Sequence, residues 1–212
     1  MYYHRGRVKN MFIGEWNKSV ILTYIGMSSA VLGMYFACMG KVYEAFAALI
    51  VSGVCDLFDG AVARKCKRNE AQKLFGIQLD SLVDVVSFLA LPAVLGISIG
   101  MKCWYHLIVL ILFCICGIAR LAFFNVSSEV GDTPVKYYRG LPVTYTALIL
   151  PLVYLLHLCL AQNVFTVVYT IAMLLIALLN ILDIKIAKPK GMAYPIFALL
   201  AVGMLVVYLT VL

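Results

Sequence analysis

VYEAFAALIVSGVCDLFDGAVA, residues 42–63, is the stretch that decides how this chain folds. From Ala45 to Cys55 it carries no charge, and the whole run is about as long as the roughly 20 apolar residues a helix needs to cross a hydrocarbon core. It then ends on two carboxylates, Asp56 and Asp59, which a plain lipid anchor has no use for. Continuous apolar runs of this length exclude the alternation of a β-barrel, and a helix is the other way to satisfy every backbone group in lipid.

Working outward, the same reading gives seven candidate spans at about 20–39, 42–63, 78–99, 103–124, 141–160, 164–183 and 194–212. The expected fold is an all-α integral membrane bundle of about seven transmembrane helices. Composition agrees: 64% of the 212 residues are hydrophobic and 13% charged, whereas soluble domains run at about 45–50% and roughly 25%. Little length is left for a soluble module, and no internal repeat is visible.

The expected organisation is a basic interfacial segment at 1–19, a core at 20–185, and a C-terminal loop and helix at 186–212. The opening residues are too polar for a signal peptide, so the N-terminus is expected to be retained. Met11, Phe12, Ile13 and Trp16, set among Lys9, Asn17 and Lys18, suit either a short helix lying on an anionic leaflet or an unstructured basic tail. The seven cysteines show no CxxC pair and the three histidines no ligand spacing, so neither a disulfide frame nor a zinc site is expected.

If the spans alternate, the basic residues sort onto one side. Arg5, Arg7, Lys9 and Lys18 precede the first span, and Arg64, Lys65, Lys67, Arg68 and Lys73 fall between the second and third. Arg120, Lys136 and Arg139 flank the loop between the fourth and fifth, and Lys185, Lys188 and Lys190 lie between the sixth and seventh. Only Lys41 and Lys102 of the 17 fall opposite. The positive-inside rule places the crowded side in the cytoplasm of a multi-pass cell-membrane protein. There the basic rim would attract anionic lipid headgroups and polyphosphate substrates; no nucleic-acid partner is expected.

Asp56 and Asp59 sit near that end of the second span, and Asp80 and Asp84 near the start of the third. Separations of three and four put each pair on one helical face, so two helices joined by a short loop aim four carboxylates at one point. Charges within a span cost about 3 kcal/mol each on insertion scales, and like charges held together demand compensation. Two divalent cations would provide it, and an all-oxygen ligand set suits Mg²⁺ or Mn²⁺ rather than zinc. The chain has ten acidic residues in all, so four at one depth argue for a site. Rival readings are structural salt bridges to Arg64, Lys65 and Arg120, and an ion-coupled transporter's cation path.

The residues around the carboxylates read D-x2-D-G-x2-A-R from Asp56 to Arg64, then x11, then G-x3-D-x3-D from Gly76 to Asp84. Gly60 and Ala63 remove bulk one turn beyond the aspartates, and Arg64 offers a planar fork to a diphosphate on the same face as Gly60. Gly76 is expected where the loop turns into the third helix. This pattern resembles the signature of the CDP-alcohol phosphatidyltransferase family. The resemblance implies a six-helix core, divalent cations held by Asp56, Asp59, Asp80 and Asp84, and a CDP-linked donor contacted by Asp56, Gly60, Ala63 and Arg64. It also implies Asp84 as general base and a homodimer.

The spacer from Lys65 to Phe75 is longer than is common in the family, as in a bacterial subset related to phosphatidylserine synthases. Arg120-Leu-Ala-Phe-Phe-Asn125 and Gly140-Leu-Pro-Val-Thr144 also resemble segments of that branch. The resemblance spans about residues 20–185 and implies CDP-diacylglycerol and L-serine as substrates. Arg120 and Arg139 are candidates to grip the serine carboxylate, and Asn125 to orient its amine. Glycerol 3-phosphate, inositol, inositol phosphate and phosphatidylglycerol stand as alternative acceptors.

Overall fold

The structure is a computed structural model and describes residues 14–130, 137–187 and 193–210; most of the segment expected to lie on the interface falls outside that set. Small residues make the closest helix contact. Helix α1 (Ile21–Cys38) buries Gly26, Ala30, Gly33 and Ala37 against α2 (Val42–Lys65). A Cβ added at Gly26 would lie 3.2 Å from that of Cys55, and one at Gly33 would lie 3.1 Å from that of Ala48. Backbones this close let serines cross-link them: Ser29 Oγ donates to the Ala48 carbonyl at 2.9 Å and Ser52 Oγ to that of Gly26 at 3.0 Å. Gly26 and Gly33 are thus used for packing within the chain.

Helix α3 (Glu70–Asp84) starts eight residues before the expected third span. Its N-terminus is a capping box: Asn69 Oδ1 accepts from the Gln72 amide at 2.8 Å, and Gln72 Oε1 accepts from the Asn69 amide at 3.2 Å. The long spacer is therefore mostly helix, and Gly76 lies inside α3 rather than at its entry. That corrects the expectation of a flexible turn there. A π-helical turn, Val85–Ala90, links α3 to α4 (Leu91–Ser98) in one 29-residue membrane span. Pro92 lacks the amide that would bond one turn back, and a wide turn just before it accommodates that loss.

The bundle is completed by α5 (Trp104–Val130), α6 (Thr146–Tyr154), α7 (Gln162–Ile181) and α8 (Ala193–Thr210). Among the described residues, five helices are long and apolar enough to cross a membrane, and two shorter apolar ones, Val143–Leu158 and Pro195–Thr210, match the remaining expected spans. Within the fifth span α6 passes into a 3₁₀ turn, Leu155–Leu158, just past Pro151. Large apolar side chains face outward along the helices, among them Leu32, Ile108, Ile111, Ile115 and Ile171, as a lipid-facing surface requires.

Two short strands depart from the all-helical expectation. β1 (Tyr137–Arg139) pairs antiparallel with β2 (Lys185–Ala187), with Arg139 opposite Lys185. The ribbon ties the α5–α6 connection to the α7–α8 connection, so both lie on one side of the membrane, as the charge sorting expects. Gly140 then reverses the chain with φ +73, and its amide donates to the Ile184 carbonyl at 2.9 Å. A Cβ there would lie 2.5 Å from the Asn180 carbonyl oxygen, so only glycine fits.

Candidate active site

Helix periodicity puts Asp56 and Asp59 on the α2 face turned toward α3, and the short 66–69 connection brings Asp80 and Asp84 opposite them. All four carboxylates line one small pocket with Thr23 and Ser52. One carboxylate oxygen from each of Asp56, Asp80 and Asp84 lies within 4.8 Å of the other two, close enough for one ion to engage all three. Asp59 sits beside them, and its Oδ2 accepts from Thr23 Oγ1 at 3.0 Å. Asp84 is 7% exposed, the most enclosed of the four.

No aspartate of the cluster is in a salt bridge among the described residues; the ion pairs found there are Lys73 with Glu70 and Arg139 with Asp183. The structural salt-bridge reading therefore lacks its pairs. Four enclosed acids without a paired base need positive charge from elsewhere, and the donor set fits a hard, oxygen-preferring divalent cation.

Two further cavities bear on the site, one of them lined by two of the aspartates. The first, about 210 Å³, is lined by Asp59, Asp80, Gly60, Ala63, Arg64 and also Arg68, Thr23 and Gly76. Arg64 folds back along its own helix, so that a Cβ on Gly60 would meet its Nη1 at 3.5 Å. The bare backbone at Gly60 thus forms a floor beneath the guanidinium, and Arg68 adds a second cation from the connection to α3. Gly60, Ala63 and Arg64 are together, as their spacing implied. Thr23 and Arg68 carried no signal of their own in the sequence.

The second cavity, about 310 Å³, lies between α5, β1 and the end of α7, with Arg120, Arg139, Asn180 and Asp183 on its wall. Arg120 is 8% exposed and its Nε has no partner among the described residues. Its guanidinium lies over the rings of Phe124 at 5.1 Å and Tyr138 at 5.9 Å, and its charge acts on Asp84 and Asp56. It therefore joins this cavity to the aspartates. Asn125 is placed differently from the other acceptor candidates. Its Nδ2 donates to Ser81 Oγ at 2.9 Å, clamping α5 to α3, and it does not line the cavity. Asn180 and Asp183, which the sequence did not single out, do.

Residues 16–182 match the family model for CDP-alcohol phosphatidyltransferase. A CDP-diacylglycerol–serine O-phosphatidyltransferase of Methanocaldococcus jannaschii is 34% identical over 84% of this chain and 79% of its own length. The protein of that name in Saccharomyces cerevisiae is 34% identical over 72% of this chain and 57% of its own length. An archaetidylserine synthase of Methanothermobacter thermautotrophicus is 34% identical over 64% of this chain and 56% of its own length. The chain thus spans little more than half the length of the last two.

Proposed function

The chain belongs to the CDP-alcohol phosphatidyltransferase family, and on that footing we propose that it transfers the phosphatidyl group of CDP-diacylglycerol to the hydroxyl of L-serine, releasing CMP. The observation that carries the chemistry is the convergence of Asp56, Asp80 and Asp84, with Asp59 beside them, without a paired base among the described residues. The names of the relatives carry the choice of acceptor.

Asp56, Asp59, Asp80 and Asp84 would hold two divalent cations, Mg²⁺ or Mn²⁺, which in such a site neutralise the diphosphate and the departing phosphate. The protein's own groups do the rest. Arg64 and Arg68 hold the CDP end of the donor over Gly60, where no side chain obstructs it. Asp84 takes the proton of the serine hydroxyl as its oxygen bonds to the lipid-bearing phosphorus. The bond from that phosphorus to the CMP oxygen breaks in line, and CMP leaves with the negative charge. Arg120, between Asp84 and the second cavity, orients the serine carboxylate so that the hydroxyl points at the reacting phosphorus.

This reading puts the site at the cytoplasmic face, where CDP-lipid headgroup and free serine meet, and where the basic loops lie by the positive-inside rule. Clustering of all four carboxylates at one end of the bundle argues against a transport path, which needs polar groups through both halves.

The test is CMP release by purified protein in detergent with CDP-diacylglycerol and Mn²⁺, comparing L-serine, glycerol 3-phosphate and myo-inositol. Serine-dependent release is expected. Release with another acceptor alone would move the chain to a different branch, and no release with any would sink the transferase reading.

A further inference from the structure

Buried amides are almost always hydrogen-bonded, because an unmet donor or acceptor retains the cost of leaving water. Asn180 breaks that rule. It is 3% exposed, on the last turn of α7, yet neither its Oδ1 nor its Nδ2 has a partner among the described residues. It lines the 310 Å³ cavity behind Arg120. Its position is not loose: the Leu141 amide donates to the Leu179 carbonyl at 2.9 Å, and Gly140 packs onto the Asn180 backbone. A buried amide on so firmly placed a backbone, with no partner among the described residues, has its hydrogen bonds left to give to a ligand.

The wall of the cavity specifies that ligand's charge pattern. Arg120 and Arg139 supply positive charge. Asp183 supplies negative charge, its Oδ1 lying 3.6 Å from Arg139 Nε. The C-terminal end of α7, a 20-residue helix, adds partial negative charge beside Asn180. A phosphorylated polyol would meet Asp183 and the helix end as repulsion. A small zwitterion meets complementary charge at both of its ends.

Resting on the serine reading above, we infer that Asn180 and Asp183 form an ammonium-recognition subsite, in which Asn180 Oδ1 and the Asp183 carboxylate accept hydrogen bonds from the amine of an α-amino-acid acceptor. Asn180 Nδ2 is left to donate to the acceptor's carboxylate beside Arg120. The subsite makes the enzyme selective for acceptors carrying both charged groups, and it rejects those lacking the amine because Asn180 then stays unmet.

The test uses Asn180→Leu and Asp183→Asn in the full-length protein, with L-serine and 3-hydroxypropionate, which lacks the amine, as acceptors. In both variants the KM for serine is expected to rise at least about tenfold and the preference for serine over 3-hydroxypropionate to collapse, as for a site that loses a substrate-bonding group. The KM for CDP-diacylglycerol should not move. Without substrate, the thermal midpoint of Asn180→Leu should hold or rise, since no hydrogen bond of the fold is removed. A lowered midpoint would show that the fold satisfies this amide and would overturn the assignment. So would an unchanged serine KM in Asp183→Asn. If the unmodified enzyme turns over other acceptors but not serine, the serine reading itself has failed, a result separable from either variant's.

Discussion

The two ends of α2 are built on opposite rules. Near its start, Phe46 stacks on Tyr154 at 4.4 Å between ring centroids, within a cluster that includes Phe165, Tyr169, Tyr208 and His157. Polar groups there are mostly met inside the fold: the Tyr43 hydroxyl lies 3.0 Å from His157 Nε2, and that of Tyr208 donates to the Pro151 carbonyl at 2.7 Å, with the Tyr169 hydroxyl the exception. Ten residues on, about 15 Å along the helix axis, Asp56 opens a region where four carboxylates crowd together and Ser87, Arg120 and Asn180 keep buried atoms without partners among the described residues. One end is closed on itself and carries stability. The other is left open and, on the function proposed above, is completed by what binds.

That contrast is broken most directly at Asp84. Asp84→Asn should lower turnover about a thousandfold, near the middle of the range for a positioned proton acceptor, while CDP-diacylglycerol binding survives. EDTA should stop turnover of the unmodified enzyme and Mn²⁺ or Mg²⁺ restore it. In EDTA the thermal midpoint of Asp84→Asn should exceed that of the parent, because a repelling charge is gone. Loss of donor binding in the variant would make Asp84 structural, and turnover without metal would end the two-cation account.

The converse change is Phe46→Ala, which removes a fully buried ring and should destabilise by about 3 kcal/mol. The folded fraction, measured below its melting temperature, should keep its kcat. A loss of kcat instead would mean that the two ends are mechanically coupled. Smallest is Thr23→Val, which takes one hydrogen bond from Asp59 and should lower kcat/KM about fivefold, the equivalent of about 1 kcal/mol. No change at all would leave Asp59 oriented by metal alone.

Much of the open end was legible in the sequence, because its parts are local. Asp56, Asp59, Gly60, Ala63 and Arg64 share one helix, and Asp80 and Asp84 share the next, so period and spacing alone bring them together. Asn180 and Asp183 were not legible. A single asparagine closing an apolar run looks like any span terminus, and it gains meaning only when α7 is laid beside Arg120 and Arg139. Asn125 shows the converse error of locality: it follows Arg120 closely in the chain, yet its amide turns to Ser81 on α3. Gly76 was misplaced because a polar spacer reads as a loop, although Asn69 and Gln72 at capping-box spacing marked the true helix start.

The β1–β2 ribbon bears on the order in which the molecule is made. Its strands are separated by α6 and α7, so it forms only after both helices have been made and Lys185–Ala187 has come back beside Tyr137–Arg139. A chain that stopped before Lys185 would hold α2, α3, Arg139 and Asp183 but would have no β2 to tie the two connections together. The clasp between the two connections is therefore closed late in synthesis, after the two helices that bring the four aspartates together have been made.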